Sequence, residues 1–229
     1  ISFSEKETTL RRTKKFTSQN IEIPGDFSSS AFFIVAALIS KNSDITLKKV
    51  GMNPSRIALL NKLIEMGGNI QVFNHSSFGK EPIADINIKS SVLSPCEVTP
   101  GDVPNLIDEL PILFIASCFA EGTSSFIDIE ELKHKESDRL KAMQDGLDKM
   151  KIKNFLNGNV FCIEGMGKNY KSPNFLAETN FDHRIAMSFA IAGLNSDSSI
   201  EIASPECINT SFPEFIELGK KLGCNFEIS

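Results

Sequence analysis

Three stretches of the chain, residues 31–39, 110–120 and 185–194, are apolar on nearly every side of a helix. A helix with no polar face must be covered all round, so these three belong at the centre of the fold. Two further stretches are one-sided. In 55–66, Ile57, Leu60 and Ile64 share a stripe, and in 137–149 Leu140, Met143, Leu147 and Met150 recur at helical spacing. Residues 212–222 form a third helix of that kind. Shorter runs at 45–50, 69–73, 124–129, 160–163, 199–202 and 225–228 suit strands with one solvated face. The order apolar helix, strand, amphipathic helix, strand therefore occurs three times, with corresponding elements about 75 to 80 residues apart. Such long units predict a closed α/β globule with threefold pseudo-symmetry, helices inside and sheets outside.

Residues 1–23 read differently. Ile1 and Phe3, then Ile21 and Ile23, flank a basic middle of Lys6, Arg11, Arg12, Lys14 and Lys15, which predicts a hairpin with a solvated basic face. Pro24-Gly25-Asp26 ends that pattern, and Ser28-Ser29-Ser30 offer caps for the first apolar helix. Residues 75–80 and 168–173 read as exposed loops, and Gly165-Met166-Gly167-Lys168 as a turn, since it has neither of the glycine spacings that cradle phosphates.

Composition narrows the classes of function. With 229 residues, 41% hydrophobic and 23% charged, the chain can bury a sizeable core. A net charge of −5 argues against a nucleic-acid or membrane-surface partner, although a local basic pocket could still take an anionic substrate. The longest apolar runs are too short to cross a bilayer. Five scattered cysteines without a C-x-x-C pair suggest a reducing, cytoplasmic setting and no metal site. The chain begins at Ile1 in the middle of a strand-like pattern, which suggests a fragment.

Candidate chemistry gathers where the helices begin. The run from Glu130 to Leu140 is densely charged and leads into a helix predicted from about Ser137 to Lys149; Lys135, Glu136 and Arg139, four and three apart, could share a face if that helix starts by Glu136. Unpaired N–H groups and the positive dipole end favour anions at such a place. The alternative is a solvated charged helix start. The other two starts carry Gly25-Asp26 with the serines, and Asp182-His183-Arg184, while Asp108-Glu109 opens the second apolar helix. If the three starts meet, Arg139 and Arg184 flank one pocket suited to carboxylate or phosphate. Asp108 could equally cap its helix, and His183 reads more readily as a structural hydrogen-bond partner than as a base.

The segments Pro24-Gly-Asp-Phe-Ser-Ser-Ser-Ala-Phe-Phe, Leu106-Ile-Asp-Glu-Leu-Pro, Ala120-Glu-Gly-Thr, Glu131-Leu-Lys-His-Lys-Glu-Ser-Asp-Arg-Leu and Asp182-His-Arg-Ile-Ala-Met-Ser-Phe-Ala-Ile-Ala-Gly-Leu resemble the 5-enolpyruvylshikimate-3-phosphate synthase family, in that family's order. The resemblance covers the C-terminal half of such an enzyme, from about residue 20 onward. It implies the inside-out α/β barrel of the enolpyruvyl transferases, with repeated βαβαββ-like units. Residues 1–22 would then be the end of the N-terminal-half region or a connecting hairpin, and 23–229 the C-terminal globular domain of three units. It implies a transferase of the shikimate pathway that joins phosphoenolpyruvate to shikimate 3-phosphate. By resemblance Asp108 accepts a proton from the shikimate hydroxyl, Lys135 binds shikimate 3-phosphate, Glu136 handles the proton at the enol methylene, and Arg139 and Arg184 hold phosphoenolpyruvate. No cofactor or metal is implied, and the expected partner is the missing N-terminal half of a cytoplasmic monomer. One departure stands out: Thr210, in Asn209-Thr210-Ser211-Phe212-Pro213, occupies a position where many members carry lysine. The neighbouring readings are the related transferase acting on UDP-N-acetylglucosamine and a non-catalytic anion-binding module of the same fold.

Overall fold

A computed structural model describes residues 2–4, 6–12, 18, 20, 22–196 and 199–227. The chain opens with two short antiparallel strands, β1 (Ser2–Phe3) and β2 (Thr8–Thr9). Ile1, Lys14, Lys15 and Ile21 of the predicted hairpin lie outside the described residues, as does Ile228.

The first unit contains α1 (Phe27–Ile39), β3 (Asp44–Gly51), α2 (Ala58–Glu65), β4 (Asn69–Phe78) and β5 (Glu81–Lys89). The second adds β6 (Glu97–Val98), α3 (Val103–Leu106), α4 (Leu110–Cys118), β7 (Glu121–Ile127), a 3-10 turn (Glu130–His134), α5 (Arg139–Lys149), β8 (Asn154–Asn157) and β9 (Val160–Met166). The third has β10 (Phe175–Ala177), α6 (His183–Gly193), β11 (Ile200–Ile202), a 3-10 turn (Pro205–Thr210) and α7 (Phe215–Lys221).

The helices α1, α4 and α6 pack on one another at the centre, as their all-round apolar sequences require. Phe32, Val35, Leu113, Phe114, Ala186 and Phe189 are all buried. Around them lie separate sheets: antiparallel β3-β5-β4, then β6-β7-β9-β8, and the parallel pair β10-β11. Phe114 of α4 meets Phe126 of β7 edge-on at 4.7 Å between ring centroids and Phe161 of β9 at 5.2 Å. Geometry of this kind adds about 0.5–1.5 kcal/mol per pair beyond the area buried, so these pairs lock the second sheet to α4. The outer helix α5 reaches α6 through Gly146, where a Cβ would stand 1.9 Å from Phe189 Cζ.

Asp85, on the central strand of the first sheet, holds two irregularities together. Its carboxylate accepts the Asn74 side-chain amide at 3.0 Å, the Lys49 backbone N–H at 2.8 Å and Lys48 Nζ at 3.2 Å. Lys49 and Asn74 have φ of 51° and 53° and sit where β3 and β4 slip register against β5. The hydrogen bond from Asn74, followed by that from Lys49, holds this carboxyl at a pKa of about 2.

Several sequence expectations need correction. Asp26, not a serine, caps α1, taking the Ser29 N–H at 2.7 Å, while Ser28 to Ser30 lie inside the helix. Residues 75–78 extend β4 and are mostly exposed, so the inward–outward alternation that marks a strand is missing. A β8–β9 hairpin, turning at Gly158, replaces the single strand predicted at 160–163. In the 168–173 segment Ser172 is fully buried rather than exposed. Residues 225–227 form no strand; Phe226 instead stacks on Phe215 at 5.4 Å.

Candidate active site

The three central helices begin side by side, and hydrogen bonds join their first residues. Ser28 Oγ, at the start of α1, donates to Glu109 Oε1 at the start of α4 over 2.6 Å. Arg184, at the start of α6, donates from Nη1 to the Asp108 carbonyl at 2.8 Å and reaches Glu109 Oε1 at 3.3 Å. Arg56, just before α2, donates from Nη2 to Ser28 Oγ at 2.6 Å. Residues separated by as many as 81 positions in sequence thus share one cluster.

The charged run before α5 closes over this point. The helix begins at Arg139, two residues later than the pattern predicts. Asp138 takes the capping position, with φ −70° and ψ 84°, and accepts the Lys141 N–H at 2.9 Å. Asp138 itself stands outside the helical region, so Lys135 and Glu136 precede the helix and do not lie on its first turn. Glu136 nevertheless folds back onto Arg139 Nη2.

Arg139 is fully buried and its guanidinium is used on every side. Nε donates to Asp182 at 2.8 Å, Nη1 to Asp108 at 3.2 Å and Nη2 to Glu136. Asp182 is also fully buried; it accepts from Ser137 Oγ at 3.1 Å and caps α6 through the Arg184 N–H at 2.9 Å. Arg184 differs. Its side chain is 14% exposed, and its Nε and Nη2 edge makes no hydrogen bond among the described residues, with Asp108 Oδ2 at 3.9 Å. Lys135 Nζ stands 3.7 Å from Asp108 Oδ1 and 3.1 Å from Glu131 Oε1.

Asp108 is therefore surrounded by three cations. Burial alone would raise its pKa, but the charges of Arg184, Lys135 and Arg139, with the Arg139 hydrogen bond, outweigh it and hold the carboxyl below its usual range. It does not cap α4: Glu109 occupies the cap position, without a side-chain cap bond. Glu109 shifts the opposite way, since burial pushes it up against the opposing pull of Ser28, Arg184 and Arg56. The reading of His183 as a structural hydrogen-bond partner is corrected: its side chain makes no hydrogen bond among the described residues. Burial, and then the charge of Arg184, lower its pKa. Thr210 is exposed and turns its hydroxyl onto the Cys207 carbonyl at 2.7 Å.

Two cavities lie elsewhere. One of about 390 Å³ is lined by Asp145, Asp148, Lys149, Glu178 and Asn180 among others, and another of about 380 Å³ by Lys41, Asn42, Ser90, Lys168 and Asn169. Neither includes Asp108, Lys135, Arg139 or Arg184. Among the described residues no group of three or more His, Cys, Asp or Glu side chains is placed to hold a metal ion. Sequence reasoning missed Arg56 and the link it makes through Ser28. A single arginine in Asn53-Pro54-Ser55-Arg56 carries no local sign of a partner 28 residues away.

Residues 2–218 match the family described as EPSP synthase (3-phosphoshikimate 1-carboxyvinyltransferase). The chain is 43% identical over 222 residues to the 3-phosphoshikimate 1-carboxyvinyltransferase of Petrotoga mobilis, covering 96% of this chain and 51% of that protein. It is 45% identical to the Bartonella tribocorum protein of the same name, over 90% of this chain and 47% of the relative. Among solved structures, EPSP synthase from Acinetobacter baumannii superposes with a TM-score of 0.88 at 40% identity, covering 95% of this chain and 50% of that one. The enolpyruvyl transferase NikO from Streptomyces tendae, at 15% identity and a TM-score of 0.65 over 86% of this chain and 43% of its own, shows the shared fold alone. The chain spans about half the length of the relatives it matches. With its apolar helices inside, its sheets outside and a profile match running from residue 2 to residue 218, this chain belongs to the EPSP synthase family.

Proposed function

We propose that this chain forms one side of the cleft in which an enzyme transfers the enolpyruvyl group of phosphoenolpyruvate to shikimate 3-phosphate, releasing phosphate. The carrying observation is Asp108, ionised between Lys135, Arg139 and Arg184 at the meeting point of three helix starts. The open edge of Arg184 suits the paired oxygens of a carboxylate or phosphate. Lys135 supplies a point charge for the phosphate of shikimate 3-phosphate.

In this reading the reaction needs two proton movements. Protonating the methylene carbon of phosphoenolpyruvate leaves its neighbour cationic, and the substrate hydroxyl attacks there as Asp108 takes the hydroxyl proton. Loss of a proton from the new methyl group and departure of phosphate then restore the double bond. Glu136 is assigned that carbon-bound proton in both directions. Arg184 steadies the anion, and Arg139 joins it when Glu136 or Asp108 swings away, since Arg139 has no free edge in the present arrangement.

Residues 23–229 are taken as the C-terminal globular domain and 1–22 as the end of the N-terminal-half region or a connecting hairpin. The self-paired β1–β2 ribbon and the exposed side chains of Leu10 and Ile23 support that division. A cytoplasmic setting is supported by five unpaired thiols. No helix among the described residues is long and apolar enough to cross a membrane.

The test is phosphate release from phosphoenolpyruvate in protein that spans the family's full length, either as one polypeptide or with the other half added. Release should require shikimate 3-phosphate and should not occur with UDP-N-acetylglucosamine in its place. Glu136→Gln should lower turnover by roughly a hundredfold while binding persists. Turnover on the UDP-sugar, or none with both halves folded, would sink the reading.

A further inference from the structure

Asp108 and Glu109 are adjacent carboxylates with opposite surroundings. Asp108 is one-third exposed and faces the cations, whereas Glu109 is 3% exposed and turns inward. A buried carboxylate is costly unless it is paired, and Glu109 is not needed to cap its own helix. Its contacts run to other units. Oε1 accepts the only hydroxyl proton of Ser28, and the Ser28 oxygen in turn accepts from Arg56 Nη2, so that hydroxyl is committed in both directions. The same Oε1 meets Arg184 Nη1, which also donates to the Asp108 carbonyl.

Two acceptors on one nitrogen do more than neutralise a charge. They fix the rotation of a planar group and thereby decide which edge it shows. Arg184 without them is a long side chain with several rotamers, and a two-bond fork forms only when the plane is set beforehand.

We propose that Glu109, braced by Ser28 and Arg56, is a positioning residue that holds the Arg184 guanidinium with its Nε and Nη2 edge turned to the carboxylate or phosphate of the substrate. The role deepens the anion-binding function proposed above and rests on it. Glu109 touches no substrate; it acts through Arg184. Ser28 and Arg56 keep the carboxylate from turning away, which ties the edge shown by the third unit to a brace built in the first.

The experiment compares Glu109→Gln and Glu109→Asp with wild type in protein of the family's full length. Gln keeps the shape but loses the charge, so KM for phosphoenolpyruvate should rise roughly tenfold or more with kcat changed far less, the pattern of lost uniform binding. Glu109→Asp, which keeps the charge on a shorter arm, should recover part of the loss. In an Arg184→Ala background, Glu109→Gln should add little, because its effect passes through the missing arginine. Ser28→Ala and Arg56→Ala should move KM in the same direction by less, and they serve if Glu109→Gln does not fold. A second readout is independent of the reaction: the Arg184 Nε–H signal in NMR should shift or broaden in Glu109→Gln, and orthophosphate titrated against this chain should bind more weakly. If the NMR and orthophosphate effects appear but wild-type protein performs no transfer, the proposed reaction fails while the positioning role stands. If wild type turns over, and KM and the Nε–H signal are unchanged in Glu109→Gln and Ser28→Ala, the positioning role is overturned. Equal losses in the presence and absence of Arg184 would overturn it as well.

Discussion

Arg139 and Arg184 stand on either side of Asp108, and their neighbours leave them very different freedom. Arg139 is sealed: Asp108, Glu136 and Asp182 take all three of its nitrogens. Arg184 has one nitrogen committed and one edge open. Both guanidiniums lie near helix starts, so position alone does not separate them. The difference comes from the count and burial of nearby carboxylates. Arg139 answers Asp182, which is fully out of solvent, and therefore serves the fold before it serves any ligand. Arg184 answers Glu109 with one nitrogen and keeps an edge for something else. A basic residue in a site can be a support or a tool, and the geometry of its free hydrogens tells which.

Arg139→Ala should have the largest effect on the molecule. It leaves Asp182 buried without its cation and takes from Asp108 and Glu136 the guanidinium hydrogen bond that each accepts. Removing one partner of a buried pair commonly costs about 3–5 kcal/mol, which is much of a domain's margin. Thermal or urea unfolding of this variant should show a large loss, and Arg139→Lys should not rescue it, because a single ammonium cannot reach three carboxylates. Unfolding within about 1 kcal/mol of wild type would mean that Arg139 is not a support. The second measurement is Arg184→Ala. Its side chain is 14% exposed, and Glu109 keeps the Ser28 hydroxyl as a donor when Arg184 is gone, so stability should fall by less than in Arg139→Ala. Binding of orthophosphate or phosphoenolpyruvate, followed by calorimetry, should weaken by roughly tenfold or more. Unchanged binding in Arg184→Ala, with loss only in an Arg139 variant, would reverse the two roles.

Much of the support was legible in sequence and the division of labour was not. The central helices could be read because a segment such as Leu110 to Cys118 has no polar side to place against water. The convergence of helix starts followed from the repeat. The β8–β9 hairpin was available in Asn157-Gly158-Asn159, a strong turn signal. It was hidden because Phe155 and Leu156 break the alternation, both being exposed. The start of α5 was misplaced because capping depends on whether Ser137 or Asp138 leaves the helical region, and spacing does not decide that. Charge at the helix starts singled out Lys135, Glu136, Arg139 and Arg184, and the resemblance assigned them and Asp108 their roles. It could not say that Arg139 would be closed by Asp182, since hydrogen bonds between residues 43 positions apart depend on how the third unit packs on the second.

The smallest effect concerns Asp108, which both arginines share. Burial raises its pKa; the charges of Arg184, Lys135 and Arg139, in that order, then bring it below the usual value. A carboxyl lowered on folding contributes stability that is fully present above its unfolded pKa of about 3.9 and is lost as pH falls through the native value. In Arg184→Ala the native value should rise toward the unfolded one, so less stability depends on Asp108 and less is lost in acid. The gap in stability between wild type and this variant should therefore narrow as pH falls below about 4. The 13C signal of the Asp108 carboxyl, followed by NMR, measures the midpoint directly and should move up in the variant. Arg184 presents charge to Asp108 without a close side-chain bond, 3.9 Å away, whereas Arg139 does so through a hydrogen bond at 3.2 Å. An unmoved midpoint would mean that Lys135 and the sealed Arg139 hold Asp108 ionised without help from Arg184. Arg184 would then be electrostatically independent of Asp108, and its open edge would owe nothing to that carboxylate.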